Sequence, residues 1–150
     1  MKSEILTFKE IDSLAEKVAK NLKPGNVLGL TGGLGTGKTT FTKNICKHLG
    51  IKENVKSPTF NYVIEYTSGR IPVYHFDVYR FSDASEIYEI GFEDYINDTG
   101  AAIIEWADKI EEELPGDTIF IKFEYNNESS RKISTYKMIN GVEENVDIWD

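Results

Sequence analysis

The sequence predicts an α/β protein, a layered sheet that is mostly parallel at its centre and carries an antiparallel hairpin near its C-terminal end. Three observations lead there. Segments of helical periodicity alternate with short apolar segments, the order that builds helix-covered parallel sheets. A glycine-rich stretch, "GGLGTGKT" (32–39), stands between one such strand and one such helix. Finally, "DTIFIKFEY" (117–125) and "RKISTYKMI" (131–139) alternate apolar and polar around "NNESS", which reads as a hairpin with one wet face.

The elements follow in order. "TFKE" (7–10) fits a capping box, with Thr7 as N-cap and Glu10 three residues on. Ile11, Leu14, Ala15, Val18 and Leu22 recur at helical spacing, and Pro24 and Gly25 stop that helix. "VLGLT" (27–31) reads as a buried strand running into the glycine-rich loop, and 39–49 as a helix ended by Gly50. "TFNYVIEYT" (59–67) and "IPVYHFDVY" (71–79) read as strands around an "SGR" turn. The segment 83–97 reads as one helix with Asp83 at its start, and "AAIIEW" (101–106) as a short apolar strand ending in an acid. The acidic tail "GVEENVDIWD" (141–150) is read as a solvated end rather than a partner contact.

Composition bounds the function. At 150 residues, one domain with a real core is expected. No run approaches the 18 apolar residues of a membrane span, and "MKSEILTFKE" lacks the apolar region of a secretion signal. The single cysteine, Cys46, allows no disulfide within the chain and reads as core. These features point to the cytoplasm. A net charge of -8 and only three arginines disfavour direct, tight binding to a phosphate backbone, so any work on RNA is expected to run through a protein partner.

The chemistry sits in the loop. Gly32, Gly37, Lys38 and Thr39 satisfy G-x-x-x-x-G-K-[ST], the phosphate-binding P-loop pattern. Backbone N–H groups must curl around an anion there, and glycines permit the approach. The stretch Gly33, Leu34, Gly35, Thr36, Gly37, Lys38, Thr39 and Thr40 is the candidate nucleotide-binding segment. Lys38 supplies a point charge to the β/γ-phosphates, Thr39 a hydroxyl for magnesium, and the following helix the positive end of its dipole.

Such a loop needs a partner acid at a strand end. "AIIEW" offers Glu105 and "VYHFD" offers Asp77, both expected at one sheet edge. One can hold the metal and the other can orient or deprotonate water; residue chemistry alone leaves the two roles open. His75, opposite in facing to Phe76, reads as a packed histidine in preference to a catalytic one. Lys43 and Lys47 read as the wet face of their helix. In "KSPTF" (56–60), Thr59 is the candidate for a γ-phosphate-sensing hydroxyl, with a plain turn as the alternative.

Absences narrow the class. There is no N-K-x-D guanine signal, no L-S-G-G-Q transporter signature, and too few arginines for the lid of a small-molecule kinase. A minimal magnesium-dependent nucleotide hydrolase that acts on a partner remains, with a nucleotide-sensing regulatory module as the alternative.

The blocks "GGLGTGKTTFTKN", "VKSPTFNYVIEY", "VYHFDVYRF", "EIYEIGFEDYI" and "IIEWADKI", in this order and spacing, resemble the TsaE family over about residues 5–125. The resemblance implies a P-loop NTPase-like fold and ATP with Mg2+ as cofactors. It implies an ATPase that supports threonylcarbamoyladenosine (t6A) modification of tRNA at adenosine 37 by acting on, and resetting, a TsaB–TsaD complex. Carried over by residue, Thr39 and Glu105 match the magnesium ligands and Asp77 the acid that activates water. Trp106 follows Glu105 as in the family, and Thr59 sits in the switch-like turn. Thr7 matches a position near the adenine, and Arg131 a basic residue of the last hairpin. Gly33 stands where many relatives have an acid, and a glycine there is expected to leave the cradle intact. A monomer that docks on others is expected.

Overall fold

The computed structural model describes residues 3–58, 62–96 and 99–148. Eight strands form one sheet: β1 (Glu4–Thr7), β2 (Val27–Gly32), β3 (Val63–Tyr66), β4 (Val73–Asp77), β5 (Ala101–Glu105), β6 (Ile119–Asn127), β7 (Ser130–Ile139) and β8 (Val142–Asn145). The order across the sheet is β1-β7-β6-β2-β5-β4-β3, with β8 also on β7. The central strands β6, β2, β5 and β4 run parallel. The flanking pairs β3·β4, β6·β7, β1·β7 and β7·β8 are antiparallel. The mostly parallel centre and the late hairpin are therefore as expected.

Strand alternation splits the core into two layers. Leu28, Leu30, Ile103, Ile121 and Phe123 face two helices, α1 (Phe8–Asn21) and α2 (Lys38–His48). Val27, Phe76, Ile104 and Phe120 face the opposite side. There the cover is two one-turn helices, α3 (Glu86–Glu89) and α4 (Phe92–Tyr95), and 3-10 turns at Ala107–Lys109 and Glu111–Glu113. Central parallel strands buried on both faces read as continuous apolar runs, as "AAII" and "VLGL" do.

The capping box forms. Glu10 N–H donates to Thr7 Oγ1 (3.2 Å) and Thr7 N–H donates to Glu10 Oε1 (2.9 Å). Ile11, Leu14, Ala15, Val18 and Ala19 bury one face of α1. Its far end is capped from a distance: Arg70 donates to the Ala19 and Leu22 carbonyls, acceptors with no partner inside the helix.

Two expectations need correction, and one strand was not foreseen. The single helix over 83–97 is two helices broken at Gly91, whose φ is 77°. Ile87 and Phe92 are both buried in the same layer; five residues apart on one helix they would point about 140° away from each other. The left-handed turn at Gly91, open to glycine at little cost, lets both reach it. Glu4–Thr7 form β1, an edge strand on β7 that the sequence reading did not assign. The tail is not simply solvated: β8 pairs with β7, and Ile148 is buried in the α1/α2 layer. Among the described residues no helix is long and apolar enough to cross a membrane.

Candidate functional site

The site is built where β2, β4 and β5 end on one edge of the sheet. β2 runs into the loop at Gly32, which has φ 126° and packs against β6 so closely that a Cβ would meet the Phe123 carbonyl oxygen at 2.2 Å. Only glycine fits there. A Cβ at Gly33 would meet open space. The loop hands over to α2 at Gly37, and no side chain caps that helix start, which leaves its first N–H groups for an anion.

Lys38 opens α2 and is nearly buried. Its Nζ donates to the carbonyls of Gly32 (2.8 Å) and Gly33 (2.7 Å) and lies 4.1 Å from the centre of the Trp106 ring. Burial lowers the ammonium's pKa, and the charges of Glu105, Asp108 and Asp77 oppose that. Trp106 holds its place with φ 64°, and its ring packs 4.7 Å from that of Tyr79.

The two acids are register partners on adjacent parallel strands. Glu105 is buried; its Oε1 accepts from the Thr39 hydroxyl at 2.7 Å. Its Oε2 lies 2.5 Å from His75 Nε2. Asp77 is half-buried; its Oδ2 accepts from the Ser57 hydroxyl (2.8 Å) and its Oδ1 from the Tyr79 N–H (3.0 Å). Asp77 and Glu105 thus differ in surroundings: one faces a hydroxyl and a turn, the other the start of α2.

A cavity of about 300 Å³ gathers Gly35, Lys38, Thr39, Ser57, Asp77, Glu105 and Trp106, and is large enough for phosphates. A neighbouring cavity of about 330 Å³ shares Gly35, Gly37 and Thr40 with it and is walled by Phe8, Phe41, Asn44 and Arg131. Arg131 reaches it from β7 by donating to the Thr36 carbonyl (3.2 Å), its guanidinium 5.2 Å from the Phe8 ring centre. A larger hollow of about 680 Å³ lies behind the loop, lined by Trp106, Tyr136 and a majority of acidic charged groups. The chemistry converges in the first, where the loop, a buried lysine, hydroxyls and two acids meet.

Of the residues expected from sequence, Leu34, Gly35, Gly37, Lys38, Thr39, Thr40, Asp77, Glu105 and Trp106 line the first cavity. Thr36 and Arg131 line the second. Gly33 lines the larger hollow and meets Lys38 through its carbonyl. Thr7 is not brought to either of the first two; its hydroxyl is engaged in capping α1, and its neighbour Phe8 forms the wall instead. Thr59 lies outside the described residues. Sequence reasoning passed over Ser57, two positions before Thr59, because nothing local says which hydroxyl of "KSPT" meets Asp77. It also preferred packing to catalysis for His75 and did not pair it with Glu105, although His75, two residues before Asp77, is the strand neighbour that the Glu105 carboxylate meets.

Hard oxygen donors from Thr39 and Glu105 suit magnesium, which takes few protein ligands and completes its shell with water and phosphate oxygens. Among the described residues no group of three His, Cys, Asp or Glu side chains could hold a metal by itself.

Comparison with known proteins gives one answer throughout. The family described as "Threonylcarbamoyl adenosine biosynthesis protein TsaE" matches residues 5–133. A Bacillus subtilis (strain 168) protein named "tRNA threonylcarbamoyladenosine biosynthesis protein TsaE" is 43% identical over 125 residues, 83% of this chain and 78% of that one. A Rickettsia prowazekii protein of the same name is 38% identical over 130 residues, 86% of this chain and 90% of that one. The crystal structure of Bacillus subtilis YdiB superposes with a TM-score of 0.71 at 35% identity, covering 91% of this chain and 87% of that chain. The chain belongs to the TsaE family.

Proposed function

We propose that this protein hydrolyses ATP with magnesium in the synthesis of threonylcarbamoyladenosine at adenosine 37 of tRNA, acting on a TsaB–TsaD complex. The observation that carries the reading is the convergence of Lys38, Thr39, Asp77 and Glu105, from three separate elements, on one cavity at the end of the P-loop. The names of the relatives support the pathway. The net charge of -8 supports contact with tRNA through partners rather than directly.

The chain's own residues divide the work. Loop amides and the N-terminus of α2 take the phosphate charge. Lys38 exchanges its hold on the Gly32 and Gly33 carbonyls for phosphate oxygens, a move its nearly buried position favours because an ammonium gains more from an anion than from a carbonyl. Phe8 and Arg131 offer an aromatic face and a cation to the nucleoside. Thr39 and Glu105 would hold magnesium, which when bound neutralises charge on the phosphates. Asp77, fixed by Ser57 and the Tyr79 N–H, orients water for in-line attack.

The deciding experiment is phosphate release from magnesium-ATP, alone and with TsaB and TsaD from the same cell. Slow release alone, raised at least tenfold by the pair and lost in Lys38→Ala, is expected. Release that ignores the pair contradicts the partner, and release that survives Lys38→Ala contradicts the site.

A further inference from the structure

We propose that His75 is a positioning residue that sets the orientation of the Glu105 carboxylate, so that one oxygen is turned to Thr39 and the phosphate cavity. The inference deepens the ATPase reading above and rests on it for its metal-dependent part.

His75 and Glu105 occupy adjacent parallel strands. His75 is the register partner of Ile103, so Glu105 lies two residues further along on the same face, a diagonal neighbour within reach of a long side chain. Both residues are buried, His75 wholly so. The contact between Nε2 and Oε2 is 2.5 Å. An ionised carboxylate only accepts hydrogen bonds, so Nε2 carries the proton and donates. With Oε2 held by His75 and Oε1 by the Thr39 hydroxyl at 2.7 Å, the carboxylate plane has no freedom to turn.

The other ring nitrogen tells against packing as the whole purpose. Among the described residues His75 Nδ1 is buried with no hydrogen-bond partner. Its layer holds Val73, on its own strand, and the Tyr66 ring, 6.1 Å away ring to ring, whose hydroxyl is engaged with the Lys56 backbone. Filling that volume does not require an imidazole; what a wholly apolar side chain could not do is meet Glu105 Oε2, which it would leave buried without this partner. Among the described residues the one polar side chain that His75 meets is Glu105. A histidine supporting an acidic metal ligand is the familiar outer-shell arrangement with donor and acceptor roles exchanged, and such partners typically carry a ten- to hundredfold effect on metal affinity.

The test compares wild type, His75→Leu and His75→Gln, whose side-chain amide can donate from nearly the same point as Nε2. The first readout is the affinity for a fluorescent ATP analogue as magnesium is titrated. Without magnesium all three should bind alike, because loop and Lys38 are untouched. With magnesium, His75→Leu should need at least tenfold more metal to reach half its effect, and His75→Gln should stay within about threefold of wild type. Equal metal dependence in His75→Leu and wild type overturns the proposal, and so does an equal loss in Leu and Gln variants, which marks a purely structural role. The second readout needs no nucleotide: nitrogen-15 NMR of the imidazole should show a slowly exchanging proton on Nε2 whose signal moves in Glu105→Ala. A proton on Nδ1 instead, or a signal indifferent to Glu105→Ala, overturns the contact itself. A wild type indifferent to magnesium, with the Nε2 signal as expected, overturns the ATPase reading and the metal part while the contact stands.

Discussion

Asp77 has both carboxylate oxygens engaged, by the Ser57 hydroxyl and the Tyr79 N–H, yet is only half-buried in the lining of the first cavity. It touches neither Lys38 nor Thr39 through a hydrogen bond, so its removal should spare binding. Asp77→Asn is expected to keep ATP affinity within about threefold and to lower the hydrolysis rate 10²–10⁴-fold, the usual range for a lost general base; single-turnover kinetics beside equilibrium binding checks this, and unchanged turnover removes Asp77 from the mechanism. Cys46 is the opposite case. Burial, with a smaller push from Glu53, raises its thiol to about 12. At pH 8 it is therefore almost entirely thiol, and the thiolate is the reactive form. Iodoacetamide should leave the folded protein unlabelled and modify it fully in denaturant; rapid labelling of the native protein would contradict that burial.

Two elements show how local codes succeed and fail. α1 carries its own start signal, and the capping box is formed as the sequence predicts. Thr7→Ala should cost about 1 kcal/mol in urea denaturation at pH 7, and a loss near zero would mean that β1 pairing, not the cap, fixes the helix start. Hydrogen bonds from Thr7 hold the Glu10 carboxyl below its ordinary value near 4.5. A depressed folded value means that the contribution is present above that ordinary value and is lost as pH falls through the folded one. The stability gap between wild type and Glu10→Gln should therefore close in acid. α3 and α4 illustrate the failure. Helical periodicity over 83–97 is real, but the two largest anchors lie on faces that one straight helix cannot bury together, so tertiary contact prevails over local pattern at Gly91.

At the scale of the whole molecule, the C-terminal part of the chain completes what the N-terminal part begins. Arg131 of β7 returns to the loop at Thr36, 95 positions away, and forms one wall of the second cavity. β1 and β8 share the outer edge of β7, pairing with Ser130–Ile133 and Tyr136–Ile139. Beyond β8, Ile148 enters the α1/α2 layer at 2% exposure. Ile148→Ala should cost about 2 kcal/mol, the low end for a buried isoleucine. A change under 0.5 kcal/mol in chemical denaturation would show that the tail contributes nothing to the core.

The amino-acid sequence by itself determined the features written in neighbouring residues. These are the glycine-rich loop from Gly32 to Thr39, the helix started by Thr7 and Glu10, the apolar central strands, and two acids placed at strand ends. Each depends on spacing within a few residues, where backbone geometry leaves few choices. The tail was illegible because all four residues of β8 are exposed, so no apolar alternation marks the strand; only backbone pairing does. Tertiary structure alone decided that Ser57 meets Asp77, that His75 meets Glu105, and that Phe8 rather than Thr7 walls the second cavity. Those answers depend on strand order and register, which bring β4 beside β5 and β7 back toward the loop. Contacts across tens of residues arise from packing the whole sheet, and no short stretch of chain carries them.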